Sequence, residues 1–137
     1  MAIMVLKQPY ALINAVDLSA YVAEIALDYS AKEIDTTAGN SAGAESVTAG
    51  LVKWSADITL NQDYAAAQVD ATLFPLVGAA AFAVEIRPST GAVAVTNPKF
   101  TGNAILPSYP PLSGKVGDLL SVKIKLSGSG ALTRATS

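Results

Sequence analysis

Polar and apolar residues alternate from Leu51 to Asn61. Val52, Trp54, Ala56, Ile58 and Leu60 are apolar, while Lys53, Ser55, Asp57, Thr59 and Asn61 between them are polar. Successive side chains of a strand point to opposite faces, so this stretch predicts a strand with one dry face and one wet face. The period then changes. Residues Asp63–Leu73 open on a good N-cap type, are rich in alanine, and place Ala66, Val69 and Leu73 at i, i+3 and i+7. That spacing predicts a short helix with those three on one face. Trp54, Ile58, Leu60, Val69 and Leu73 are the expected core of this strand–helix unit; a ligand platform is the alternative role for Trp54. Pro75 disfavours helical dihedrals at Phe74 and predicts the stop.

The rest of the chain reads mostly as strands. Met1–Leu6 and Tyr10–Val16 are short apolar runs, each predicted extended, with Asp17–Tyr21 as a turn or single helical turn between them and the next strand. Over Val22–Glu33, Ile25, Leu27 and Tyr29 alternate with Glu24, Asp28, Ser30 and Lys32, with Ala26 neutral. Phe82–Arg87 alternates in the same way, and Leu120–Ser127 repeats it with Val122, Ile124 and Leu126 against Lys123 and Lys125. Ala92–Thr96, Lys99–Leu106 and Ala131–Ala135 are shorter extended candidates. Pro107, Pro110 and Pro111 exclude helix between the last long strands and make central-strand pairing there unfavourable. Residues 35–50 differ. They are almost entirely Thr, Ala, Gly, Ser and Asn, and predict a long loop, either a loose hairpin tip or an arm that orders against a neighbouring subunit. About seven to nine strands and one helix, with Gly and Pro turns and no internal repeat, predict a single mainly-β domain over residues 1–137, a sandwich or barrel.

Composition sharpens this. Hydrophobic residues make up 51% of the 137 and charged residues 15%, against roughly 25% charged in an ordinary soluble domain. Something must cover the apolar surface. The longest nearly apolar run, Leu73–Val84, is too short to span a bilayer and is broken by Pro75 and Gly78. The N-terminal run lacks a basic segment and meets Lys7, which makes it a poor signal peptide. Other copies of the same chain are the remaining cover, and a net charge of −2 offers them little long-range repulsion. The nine basic residues are scattered, which argues against tight nucleic-acid binding.

Chemistry is sparse. With neither cysteine nor histidine, disulfide scaffolds, thiolate or imidazole metal sites and His-dependent triads are excluded. Gly114-Lys115-Val116 lacks the rest of a phosphate loop, and no calcium-loop pattern exists. Asp57, Asp63 and Asp70 are the candidate acids and bases, with Asp63 and Asp70 expected on one helix face; the simpler reading makes Asp63 the helix cap and leaves Asp70 solvated. Lys123 and Lys125 read as the wet face of a strand, with salt bridges between subunits as the alternative.

Several segments resemble one group of proteins. Asp17–Val22 (DLSAYV), Ile25–Tyr29 (IALDY), Gly50–Ser55 (GLVKWS), Asn61–Ala66 (NQDYAA) and Val69–Leu76 (VDATLFPL) are similar to the small major tail tube proteins of long-tailed, siphovirus-type bacteriophages. So are Asn97–Gly102, Pro110–Asp118 and Gly130–Thr136. The resemblance covers most of the chain and consists of structural residues. It implies a β-sandwich with one flanking helix and no cofactor, forming hexameric rings whose strands join into an inner barrel. The stacked rings would make a tail tube, built in the host cytoplasm, that conducts DNA without binding it specifically. Further partners implied are a tape measure protein and tail tip or terminator proteins. The loop that reaches the adjacent ring in such proteins corresponds here to Asp35, Thr36, Thr37, Ala38, Gly39, Asn40, Ser41, Gly43, Glu45, Thr48 and Gly50. Because lumens in the group tend to be acidic, Glu24, Asp28 and Asp57 are the candidate lining. Capsid decoration and other head–tail structural roles are the alternative, and a carboxylate-dependent enzyme is a more distant one.

Overall fold

The computed structural model describes residues 3–39 and 42–137. Eight strands carry the fold: β1 (Tyr10–Ile13), β2 (Val16–Asp17), β3 (Val22–Asp35), β4 (Val47–Asn61), β5 (Phe82–Arg87), β6 (Lys99–Ile105), β7 (Ser121–Gly128) and β8 (Thr133–Ala135). One short helix, α1 (Val69–Leu73), lies between β4 and β5. All strand pairs are antiparallel, in the order β2-β1-β5-β6-β7-β4-β3, with β8 also on β6. The β6–β7 join is narrow, only Ala104 opposite Gly128 and Ile105 opposite Ser127. Across that join the sheet folds on itself. Ile13, Phe82, Val84 and Ile86 from one half meet Ile58, Leu60, Val122, Ile124 and Leu126 from the other in one buried cluster.

The dyad patterns explain the long strands. Trp54, Ala56, Ile58 and Leu60 are buried while their odd-numbered neighbours are not, and Val122, Ile124 and Leu126 repeat this on β7. Val69 and Leu73 close the core from α1. Trp54 lies flat over two glycines. A Cβ at Gly102 would come within 2.8 Å of the indole, and one at Gly128 would run into its pyrrole edge. The indole N–H is buried with no hydrogen-bond partner among the described residues, so packing holds this ring in place.

Local expectations fail where distant contacts decide. The helix is shorter than its alanines predict. Asp63 Oδ1 accepts the Ala65 N–H at 2.9 Å, Ala67 takes a left-handed φ of 61°, and α1 begins only after Gln68. Asp63 and Ala66 therefore lie outside the helix, and Asp63 and Asp70 share no helix face. Pro75 does not stop the chain at Phe74, which is helical; a 3-10 turn continues through Leu76. Tyr10–Val16 is a hairpin, because Asn14 and Ala15 both have positive φ and turn the chain back. Ile3–Leu6 are exposed coil rather than strand, and the rest of that apolar run, Met1 and Ala2, lies outside the described residues. Ala92–Thr96 forms only a single bridge, Ala94 to Asn97, because the buried Asn97 amide binds the carbonyls of Ser89, Gly91 and Ala92 and closes that loop on itself.

The proline-rich link between β6 and β7 is fastened by Tyr109. Its hydroxyl donates to Asp70 Oδ1 on α1 at 2.8 Å and accepts from Gln62 Nε2 at 2.8 Å. Gln62 Nε2 and the Tyr64 hydroxyl both reach the Pro111 carbonyl, at 3.1 and 2.6 Å. Burial above all, with the Asp70 carboxylate beside it, pushes the Tyr109 phenol up to about 12, against the pull of the Gln62 amide.

Two outcomes follow from this packing. Gly128→Ala should lower stability by about 1–3 kcal/mol, read from the urea midpoint, since the added methyl has only the indole to displace. Tyrosine ionises near pH 10 in the unfolded chain, whereas folded Tyr109 ionises about two units higher. Its contribution is whole below about pH 10 and is lost as the pH rises to about 12. The difference in stability between the wild type and Tyr109→Phe should shrink over that window in denaturation curves taken across it.

Candidate assembly surface

The longest element is the β3–β4 hairpin, which pairs Val22 with Leu60 at its base and Asp35 with Val47 at its far end. Its outer half leaves the core. Trp54 is the last residue of β4 buried on the dry face, and Val52, expected to be dry, is 51% exposed. Leu51 is 87% exposed, and Tyr29, Ile34 and Val47 are also exposed. Apolar side chains on both faces of the hairpin thus carry on from the core along a ribbon where the single chain has nothing to cover them.

The expected loop over residues 35–50 is shorter than its composition predicts. Asp35 ends β3, and Thr48 and Gly50 belong to β4, leaving residues 36–46 as the connection. Asn40 and Ser41 lie outside the described residues. The base of this connection is stitched together. Thr36 N–H donates to the Ser46 carbonyl at 2.8 Å, Ser46 N–H donates to Thr37 Oγ1 at 2.8 Å, and Asp35 accepts the Thr37 N–H at 2.9 Å. The last of these bonds holds the Asp35 carboxyl below its ordinary value. Gly39, Gly43 and Glu45 lie beyond the stitch, all exposed.

Register places the charged candidates on one face. Glu24, Thr59 and Lys123 form one row across β3, β4 and β7; Ala26, Asp57 and Lys125 form the next; Asp28, Ser55 and Ser127 the third. Lys53, opposite Ser30, follows. Glu24, Asp28 and Asp57 therefore share a face, but so do Lys32, Lys53, Lys123 and Lys125, so this face mixes three acids with four lysines. The acids gather at the β3 side and two of the lysines on β7.

The two other candidate acids, Asp63 and Asp70, are engaged in structure. Asp63 accepts from Ala65 N–H and the Tyr21 hydroxyl, which together hold its carboxyl below the usual range. The same bond raises the Tyr21 phenol. Gln68 Oε1 lies 2.5 Å from the Tyr21 oxygen, so this cluster pins the chain ahead of α1 to the start of β3. Asp70 accepts from Tyr109. A cleft of about 470 Å³ beside β5 and β6 has Glu85 as its one carboxylate, bound to Arg87 at 2.6 Å. Among the described residues no group of three His, Cys, Asp or Glu side chains could hold a metal ion, and no helix is long and apolar enough to cross a membrane. What the geometry offers is surface: open edges, an apolar ribbon and a face of segregated charge. Sequence reading missed the two tyrosine clusters. Their only local signal is a Tyr or Gln set among acids, as in Asn61–Tyr64.

No family model and no curated protein matches the chain. Solved structures do. Over 97% of this chain and 99% of the other, it superposes at a TM-score of 0.75 and 13% identity on a chain from the virion of a native gene transfer agent particle. A chain from the tail of an empty gene transfer agent particle, refined helically with C6 symmetry, gives 0.66 at 15% identity over 85% and 83%. A chain from the sheath-tube complex of an extracellular contractile injection system (PVC) in its extended state gives 0.72 at 11% identity over 98% and 93%. The fold implied by the sequence resemblance is thus the fold of the chain, one shared with subunits of phage-like tail and tube assemblies.

Replacing Leu51 and Val52 together by serine should leave the monomer's stability within about 0.5 kcal/mol per site, since both side chains are largely solvent-facing. The same variant should self-associate less than the wild type in sedimentation at high protein concentration.

Proposed function

We propose that this protein is a structural subunit of the tail tube of a phage-like particle, assembled from copies of itself into six-fold rings that stack and conduct DNA. The observation that carries this reading is the full-length match of fold to a chain of a gene transfer agent virion. Two properties of the chain support it. Low charge and an uncovered apolar ribbon call for neighbours, and a subunit with dissimilar contacting surfaces adds copies head to tail, which closes rings or grows filaments. The role is architectural. The tape measure and tip proteins of such a tail are its further partners, and the tail is its location. The connection at residues 36–46, with the exposed ribbon beneath it, is the arm that reaches the next ring. The mixed-charge polar face over β3, β4 and β7 is the lumen wall, where acids set among the lysines leave a passing phosphate backbone no uninterrupted column of cations to bind.

A second reading, the tube of an injection apparatus that carries no DNA, is favoured by the match to the contractile injection system. Both readings expect tubes, and the nucleic-acid content of native particles separates them.

Purified protein at high concentration should form tubes of uniform diameter in cryo-electron images. Solitary molecules there and in sedimentation would overturn the reading. Deleting residues 38–44 should leave melting behaviour close to wild type yet abolish stacking, giving rings or monomers. Tubes of normal length from that variant would remove the arm from the assignment.

A further inference from the structure

The three-stranded sheet β7-β4-β3 has two open edges, and they carry opposite charge. β3 ends the strand order, so its outer edge is unpaired. β7 meets β6 only at Ser127 and Gly128, so no strand among the described residues pairs with the far side of Ser121–Leu126. Antiparallel alternation fixes which backbone groups are free. Gln62 N–H donates to the Leu120 carbonyl, so Leu120, Val122 and Ile124 bond toward β4. The N–H and C=O groups of Lys123 and Lys125 consequently point out of the open edge. By the same alternation across β4, those of Ile25, Leu27 and Tyr29 point out of the β3 edge.

We infer that copies join through β7 of one and β3 of the next, with Lys123 and Lys125 seated against Glu24 and Asp28 of the neighbouring copy. This rests on the ring reading above and names the contact that closes the ring. β3 and β7 both run antiparallel to β4, so they are parallel to each other. Rotation about a ring axis preserves that sense, and the junction is a parallel pairing. In a parallel pair one residue bonds the two that flank its opposite number. Setting Lys125 opposite Ala26 lets it bond Ile25 and Leu27, whose groups are the free ones. That register also keeps every wet side chain on one face. It puts Lys123 level with Glu24, and Lys125 between Glu24 and Asp28.

Charge selects this pairing. Within one chain Lys125 has Asp57 opposite it on β4, but β4 separates both lysines from Glu24 and Asp28 by two strand spacings, about 10 Å. Neither lysine and neither acid makes an ion pair or side-chain hydrogen bond among the described residues. Across the junction the strands are neighbours at about 4.8 Å, and opposite charges directly across adjacent strands attract. Pairing β7 with β7, or β3 with β3, would set like charges together.

The test is a charge exchange. Lys123→Glu with Lys125→Glu makes both edges acidic, and Glu24→Lys with Asp28→Lys makes both basic. Each double variant alone should fold and lose pelletable tubes, the lysine-exchanged one melting somewhat lower because Lys125→Glu faces Asp57 across to β4. Mixed in equal amounts, the two should recover tubes, because alternating copies restore every junction in an even-numbered ring. The quadruple variant, with both edges exchanged, should assemble alone. Wild-type yields from either double variant, or no recovery in both the mixture and the quadruple variant, would overturn the junction. Wild-type protein that forms no tube at all would instead fault the ring reading.

Discussion

The antiparallel ladder between β3 and β4 is the constraint on which the other features depend. Its register brings Ile25, Leu27 and Tyr29 onto the face that Trp54, Ala56 and Ile58 bury. A slip of one residue would turn that whole set into water. The ladder is also longer than the core it serves. Its inner half is anchored by β7 and the folded-over half of the sheet, while the outer half is held by backbone pairing alone. One element thus acts as core wall at one end and projecting ribbon at the other.

Much of this was legible in the sequence, and the physical reason is period. Val52–Leu60 and Val122–Leu126 alternate because one face of each strand is dry, and such a pattern needs no knowledge of partners. The fold class followed from the same patterns, and the resemblance to tail tube proteins agrees with the architecture found. Misreadings fall where a short-range rule met a long-range contact. The alanines of residues 65–67 favour helix, but the Tyr21 hydroxyl reaches Asp63 from 42 positions away and the carboxylate caps a turn instead. Val47–Gly50 looked like loop because small residues hide a ladder whose other side is Glu33–Asp35.

The assembly surface was only half legible. Sequence showed that acids and lysines lie on wet faces. It did not show that these acids and lysines share one face, since that depends on β4 standing between β3 and β7. Nor did it reveal the open side of β7. Pro107, Pro110 and Pro111 bar helix and disfavour central-strand pairing, and in the link that holds them the chain leaves β6, so that on the β6 side only Ser127 and Gly128 of β7 are paired. The bare edge is a consequence of connectivity.

Lysine on that edge also bears on the protein before it assembles. An unprotected strand is a template for any other strand, and a freshly made pool of identical chains is the setting in which fibrils start. Two copies meeting through their β7 margins would crowd four ammonium groups together, which discourages dead-end dimers and stacked cross-β aggregates. The same side chains leave that margin open to a strand that brings acids and closed to a copy of itself.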